Sequence, residues 1–293
     1  MIDAPGLHRI RLDLAYDGTA FSGWARQPGL RTVQGVVEEV LATLFRRHPP
    51  APLVTVAGRT DAGVHASGQV AHLDLGEVAL ESLARRSDGR ALPPEALARI
   101  LESRMNGVLG ADSDVVVHRS SLAPAGFDAR FSAVWRRYEY RVADPRTPRD
   151  PLTRHRVVRH PAELDVEAMD VAAAALLGLH DYGSFCKPRE GSTTIRTLQA
   201  FRWRRDGSGV LVAQLQADAF CHSMVRALVG STVAVGAGTL SGEELVALRD
   251  AAERTSRFLV MPAKGLVLTE VGYPDDEELG IRAEQTRARR ELG

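Results

Sequence analysis

The octapeptide Gly58-Arg59-Thr60-Asp61-Ala62-Gly63-Val64-His65 gathers the densest set of reactive polar groups in the chain. Its glycines suit a tight loop, and loops carried on a rigid scaffold are where functional side chains concentrate. Arg59 and Asp61 are two residues apart, so in an extended segment their side chains leave on the same side. Burial pushes a carboxyl toward its neutral form, by up to ~3–5 pKa units when complete, and a neighbouring guanidinium opposes that by about 1–3 units. An aspartate that must act as a nucleophile near neutral pH needs such a neighbour. The spacing is equally that of an ion pair bracing a turn, and both readings stay open on the residues alone.

Other combinations carry less chemistry. Ser67 and His65 beside Asp61 invite a Ser-His-Asp reading, but no strand-to-helix elbow precedes the serine. Cys221 and His222 are adjacent, and neighbours on a helix point about 100° apart, so Cys221 is expected as a core thiol. The nine histidines show no His-x-x-x-His spacing, and no metal site is expected. Gly236 to Gly242 reads as a helix end, since no strand precedes it. The segment from His222 to Val235 sets Met224, Leu228 and Thr232 on an apolar stripe beside Val225, Val229 and Val233. On another row Arg226 leads away from that stripe, toward solvent or toward a cleft.

These groups need elements to hold them. His8–Tyr16 alternates Ile10, Leu12 and Leu14 with Arg9, Arg11 and Asp13, the pattern of a half-buried strand. Thr32 reads as the N-cap of a helix whose stripe is Val33, Val36, Val37, Val40, Leu41 and Leu44. Strands are expected at 53–57 and 69–75 on either side of the Asp61 loop, and at 115–117 and 133–142, with helical patterns across 76–112. Prolines 145, 148, 151 and 161 place a linker at 144–162, between an N-terminal half, 1–143, and a C-terminal half, 163–293. That second half has helices near 165–177, 222–235 and 242–252, and strands near 194–204, 210–217 and 266–271. Two similar sets of mixed elements suggest an α+β fold of two sheets, each with helices on one face.

Composition sets outer bounds. A length of 293 residues fits about two domains, and 44% hydrophobic with 25% charged residues is an ordinary globular mix. Lysines and arginines number 37, as do aspartates and glutamates, which excludes a nucleic-acid binder acting through bulk positive charge. The distribution is uneven: Arg130 to Arg159 contains nine arginines against Glu139, Asp144 and Asp150, a formal balance of +6. Arg196, Arg202, Arg204 and Arg205, with Trp203 among them, form a second basic stretch able to face a phosphate backbone. Two cysteines are too few for a disulfide framework, consistent with a reducing cytoplasm, and no apolar run approaches membrane-spanning length.

The Asp61 octapeptide resembles the signature of the tRNA pseudouridine synthase A family, and the likeness extends along the chain. Tyr16-Asp17-Gly18-Thr19 with Gly23-Trp24 and Thr32-Val33-Gln34-Gly35 resembles the family's opening strand, loop and helix. Phe127 to Ala133 followed by Arg136-Arg137-Tyr138-Glu139-Tyr140 is similar to its second motif, and Asp181 to Phe185, Met224-Val225-Arg226, Gly265-Leu266-Val267-Leu268 and Gly272-Tyr273-Pro274 to its C-terminal half. The resemblance implies two RNA-recognition-like halves with mainly antiparallel sheets and an active-site cleft between them. It implies a homodimer that isomerises uridine to pseudouridine at positions 38 to 40 of the tRNA anticodon stem-loop, without metal or cofactor. By that likeness Asp61 is the nucleophile, attacking C1′ of the ribose or C6 of the base, and Arg59 pairs with the nucleotide's surroundings or with Asp61. Tyr138 stacks on the uracil, Arg226 holds Asp61, Leu266 walls the pocket, and Arg130, Arg136 and Arg137 are candidates for contacting RNA. Residues 79–98 look like an insertion relative to shorter members, and Ala227 stands where an asparagine is frequent. The alternative is a non-catalytic RNA-binding protein of the same fold, for which a carboxylate facing phosphate would be a liability.

Overall fold

Ile10, Leu12, Leu14 and Tyr16 alternate along the first strand and all four are buried, so one face of that strand has to be covered. The computed structural model shows what covers it; it describes residues 6–84, 92–188 and 193–291. Part of the inserted stretch, 85–91, and the start of the chain, 1–5, lie outside the described residues. The chain forms two compact units, one of residues 6–133 with 271–291 and one of residues 134–270.

Unit 1 runs β1 (Leu7–Tyr16), α1 (Val33–Leu44), β2 (Thr55–Val56), β3 (His65–Gly76), α2 (Glu77–Glu81), α3 (Pro94–Leu109) and β4 (Val115–Leu122). The sheet order is β4-β1-β3, all antiparallel, with β2 on β3; Leu12 sits across from Ala71 on one side and Ser120 on the other. Thr32 caps α1 as expected, its hydroxyl accepting from the Gly35 amide, and Val33, Val37, Val40 and Leu41 turn inward. Pro93 and Pro94 open α3, where a missing amide hydrogen costs nothing.

Unit 2 contains β5 (Trp135–Ala143), β6 (Val158–Arg159), α4 (Val166–Ala175), β7 (Gly178–Asp181), β8 (Ile195–Arg205), β9 (Leu211–Ala217), α5 (Met224–Gly236), α6 (Gly242–Ala251) and β10 (Leu266–Gly272) up to residue 270. Its strands lie in the order β10-β5-β9-β8-β7, with β6 parallel to β5 and the registered β5-β9, β9-β8 and β8-β7 pairs antiparallel. Tyr138, Leu215 and Phe201 stand in one cross-strand row, and Tyr140, Ala213 and Trp203 in the next; all six are buried. Stretch 144–162 is part of this unit: Asp144 is wholly buried, Asp150 caps a short 3-10 turn, and β6 pairs with β5. The prolines there shape a loop with its own hydrogen bonds.

One last helix, α7 (Leu279–Glu291), belongs to unit 1. It carries too few apolar residues to stand out in the sequence, yet Leu279 and Ala283 are buried and the Arg287 guanidinium donates to Asp128. Cys186 and Cys221 are joined as a disulfide, so Cys221 is not the core thiol its neighbours suggested. Their Cα atoms are 5.7 Å apart, and Cys186 is buried. Among the described residues no helix is long and apolar enough to cross a membrane.

Candidate active site

In unit 1 the Asp61 loop lies between β2 and β3 and is held from two sides. Beneath it, Thr60 is buried and its hydroxyl lies 2.8 Å from the Tyr16 hydroxyl, while its carbonyl accepts from the Trp24 amide at 3.0 Å. Gln69 donates to the Tyr16 oxygen at 3.2 Å and to the Gly58 carbonyl at 2.9 Å. Thr60 is buried, while Arg59 is exposed and Asp61 half-buried. The Val64 amide closes the turn onto the Asp61 carbonyl at 3.1 Å.

A second loop, 17–24, is the wall against which this one rests. Gly18 is indispensable there: a Cβ on it would lie 2.1 Å from the Val64 carbonyl oxygen. Gly23 has φ of +95°, and a Cβ would sit 3.0 Å from the Thr60 oxygen, so backbone meets backbone directly over the residue before Asp61. His65 is buried, and its Nδ1 receives the Gly18 amide hydrogen at 3.0 Å. The same nitrogen lies 3.1 Å from the Asp17 carboxylate. His65 thus contacts the 17–24 loop through Nδ1, and Ser67 is exposed.

Unit 2, taken by itself, holds the other residues singled out from the sequence. Tyr138 is only 8% exposed, and its ring meets that of Phe220 edge-on, with centroids 5.1 Å apart and planes at 87°. Phe220 had no signal in the sequence beyond its aromatic type. Arg226, on the first turn of α5, donates to the Ser223 hydroxyl at 3.0 Å and to the Met261 carbonyl at 3.2 Å. Ser223 has φ of +65°, a left-handed conformation that non-glycine residues rarely take. Leu266 is buried at the start of β10. Tyr140, two residues from Tyr138, donates to the Pro262 carbonyl; burial pushes its hydroxyl far above the usual range, with the Arg226 charge pulling it partly back.

The basic stretches divide on inspection. Arg137 is engaged with Gln216 and Glu270 and lies over the Trp135 ring, and Arg136 donates to the Asp218 carbonyl at 2.8 Å. Arg141 pairs with Glu139 and Asp206, Arg202 with Asp170, and Arg205 makes a two-pronged contact with Asp144. Trp203 is buried with its indole nitrogen donating to Thr232, so it is core and not a stacking surface. What stays exposed is the loop between β5 and α4, with Arg146, Arg149, Arg154, Arg156 and Arg159, together with Arg130 and Arg204. Arg130 lies over the Phe131 ring at 5.2 Å. Among the described residues, no group of three His, Cys, Asp or Glu side chains is arranged to hold a metal ion.

Comparison with known proteins fits this assembly of parts. A family model described as tRNA pseudouridine synthase matches residues 172–274. A tRNA pseudouridine synthase A of Leifsonia xyli subsp. xyli is 63% identical over 284 residues, covering 97% of this chain and 98% of the relative. Proteins of the same name from Streptomyces griseus subsp. griseus and Frankia casuarinae are 50% and 51% identical, over 98% and 97% of this chain and 96% of each relative.

Proposed function

The chain belongs to the tRNA pseudouridine synthase A family, and from that premise we propose that it isomerises uridine to pseudouridine at positions 38, 39 and 40 of the tRNA anticodon stem-loop, with Asp61 as nucleophile. The observation that carries the assignment of Asp61 is its setting: a half-buried carboxylate on a loop fixed below by Thr60 and from the side by Gly18 and Gly23. The isomerisation breaks the N1–C1′ bond and makes a C5–C1′ bond; the proton lost at C5 is matched by one gained at N1, so no redox partner is needed. A carboxylate adding to C1′ or to C6 divides this change into two easier steps. Arg59, exposed on the same loop, pairs with the surroundings of the flipped nucleotide or with Asp61. Tyr138, its ring fixed by Phe220, is the surface on which the uracil stacks, and Leu266 excludes water there. Arg226, anchored to Ser223 and Met261, is the second cation of the site.

A uridine in a stem has to leave its stack, at a cost of a few kcal/mol that backbone contacts must offset. The exposed arginines of 146–159, with Arg130, are suited to that work, and Arg136 and Arg137 on β5 are further candidates for contacting RNA. Two such chains acting as a dimer in the cytoplasm would present two basic strips to one tRNA. The test is an unmodified tRNA transcript with uridine at 38, 39 and 40, incubated with the protein and mapped by derivatising pseudouridine. Product confined to those positions, and lost when they are cytidine, is the expected result. Pseudouridine elsewhere in the tRNA, or none, would overturn the assignment of site. Binding of the same tRNA should weaken steeply with salt, and a shallow slope would remove the arginine loop from the account.

A further inference from the structure

Three buried polar groups outside the reacting set converge under the Asp61 loop: Tyr16 at the end of β1, Gln69 on β3 and Thr60 on the loop itself. All are within the unit that carries Asp61, and Tyr16 and Gln69 lie in its apolar interior, where an isolated amide or phenol is costly to bury. Their hydrogen bonds have a definite sense. The Gly58 carbonyl can only accept, which places the amide nitrogen of Gln69 on that side. The other amide hydrogen goes to the Tyr16 oxygen, leaving the phenolic hydrogen for the Thr60 hydroxyl. Burial raises Tyr16 to about 12, so the phenol keeps its hydrogen at any working pH.

We infer that Gln69, Tyr16 and Thr60 form a positioning relay that sets the direction of the Asp61 carboxylate. Thr60 is the link because it is pinned twice, by its hydroxyl below and by its carbonyl to the Trp24 amide. A residue fixed at both ends restricts the backbone of its neighbour, so the half-buried Asp61 next to it is held in place with it. None of the three touches the nucleotide in this account; they act through Asp61 alone. The relay rests on the reading of Asp61 as nucleophile, and its contribution is to kcat and not to tRNA affinity. A displacement of about 1 Å in a reacting group can cost on the order of 100-fold in rate.

Two variants separate this from a role in stability. Thr60→Val keeps the shape and removes the hydroxyl; Tyr16→Phe keeps the ring and removes both bonds. Single-turnover rates and tRNA binding are measured at a temperature where circular dichroism shows each protein folded, with Asp61→Asn as a parallel sample. The expected result is a 10- to 100-fold fall in rate for each variant, tRNA affinity within twofold of the parent, and recovery to within threefold in Thr60→Ser. The doubly substituted protein should be no slower than the slower single one, because both break the same link. Unchanged rates in the folded variants, or a loss confined to tRNA affinity, would overturn the relay. If neither variant folds, the three groups serve stability and the inference is wrong. Activity retained in Asp61→Asn would instead overturn the nucleophile assignment, whatever the other variants do.

Discussion

Gly18→Ala is the smallest change that should disturb the candidate site without touching any residue that contacts RNA. The new Cβ would lie 2.1 Å from the Val64 carbonyl oxygen and 2.4 Å from its carbon, both backbone atoms. An ordinary carbon–oxygen contact is roughly 3.3 Å, so one loop must retreat by about 1 Å. Neither can do so freely. The 17–24 loop is bonded through the Gly18 amide to His65 and through the Trp24 amide to Thr60, and Phe21 and Trp24 are buried. Forced overpacking of this kind typically costs about 1–3 kcal/mol. In a unit of this size each kcal/mol lowers the melting temperature by about 2–4 °C, so a fall of roughly 4–8 °C is expected for the middle of that range. A retreat of the Asp61 loop by the same distance would also lower kcat by about 100-fold, well beyond what lost stability explains at 25 °C. Differential scanning calorimetry and single-turnover pseudouridine formation read the two effects separately. A Gly18→Ala protein with parental melting temperature and rate would refute the claim that the loops are in hard contact; a lower melting temperature with parental rate would refute the claim that this contact places Asp61.

Three further outcomes follow from groups away from the reacting set. Burial, reinforced by the nearby Arg9 charge, lowers His72 to about 4, so below the ordinary His range the unfolded chain binds a proton that the folded one refuses. The stability this confers is complete above about pH 6.5 and falls as pH drops toward 4, by about 3 kcal/mol in all; urea unfolding between pH 4.5 and 7 should show a shallower decline in His72→Asn, and parallel slopes would contradict the cause. In unit 2, burial would push Asp144 up, but hydrogen bonds from Arg205, the Leu164 amide and Thr147 hold it at about 2; Arg205→Met should cost roughly 3–5 kcal/mol in urea unfolding at pH 7, by stranding the carboxylate. The Cys186–Cys221 bond closes a loop with a sequence separation of 35, worth up to about 4 kcal/mol by loop entropy. A Cys186→Ser, Cys221→Ser protein should therefore match the parent in reductant and fall below it without, and equal stability in both conditions would show the bond absent in solution.

Much of the candidate site is readable from local rules. The alternation of β1 and the Thr32 cap and inward stripe of α1 depend on near neighbours, and the structure keeps both. Other features depend on partners far along the chain. Trp203 looks like part of a basic surface because its neighbours are arginines, but its strand face is decided by Tyr140 and Ala213 across the sheet. The +6 of residues 130–159 is partly local appearance as well: Glu270 and Asp206, outside that stretch, help neutralise Arg137 and Arg141. Prolines suggested a break at 144–162, yet Asp144 is a buried anchor whose partner, Arg205, lies 61 residues on. Helix α7 escaped because its anchor to Asp128 is 159 residues away and its own pattern is mostly charged.

If the Asp61 carboxylate does the chemistry, an amide of the same shape in its place stops the reaction. Asp61→Asn changes no volume, keeps the loop's glycines and Thr60, and removes only the negative charge and its nucleophilicity. Under single-turnover conditions, with protein in excess over unmodified tRNA, the account predicts that the variant binds tRNA at least as well as the parent and forms no pseudouridine at positions 38 to 40. Pseudouridine formed at the parental rate by Asp61→Asn would contradict it.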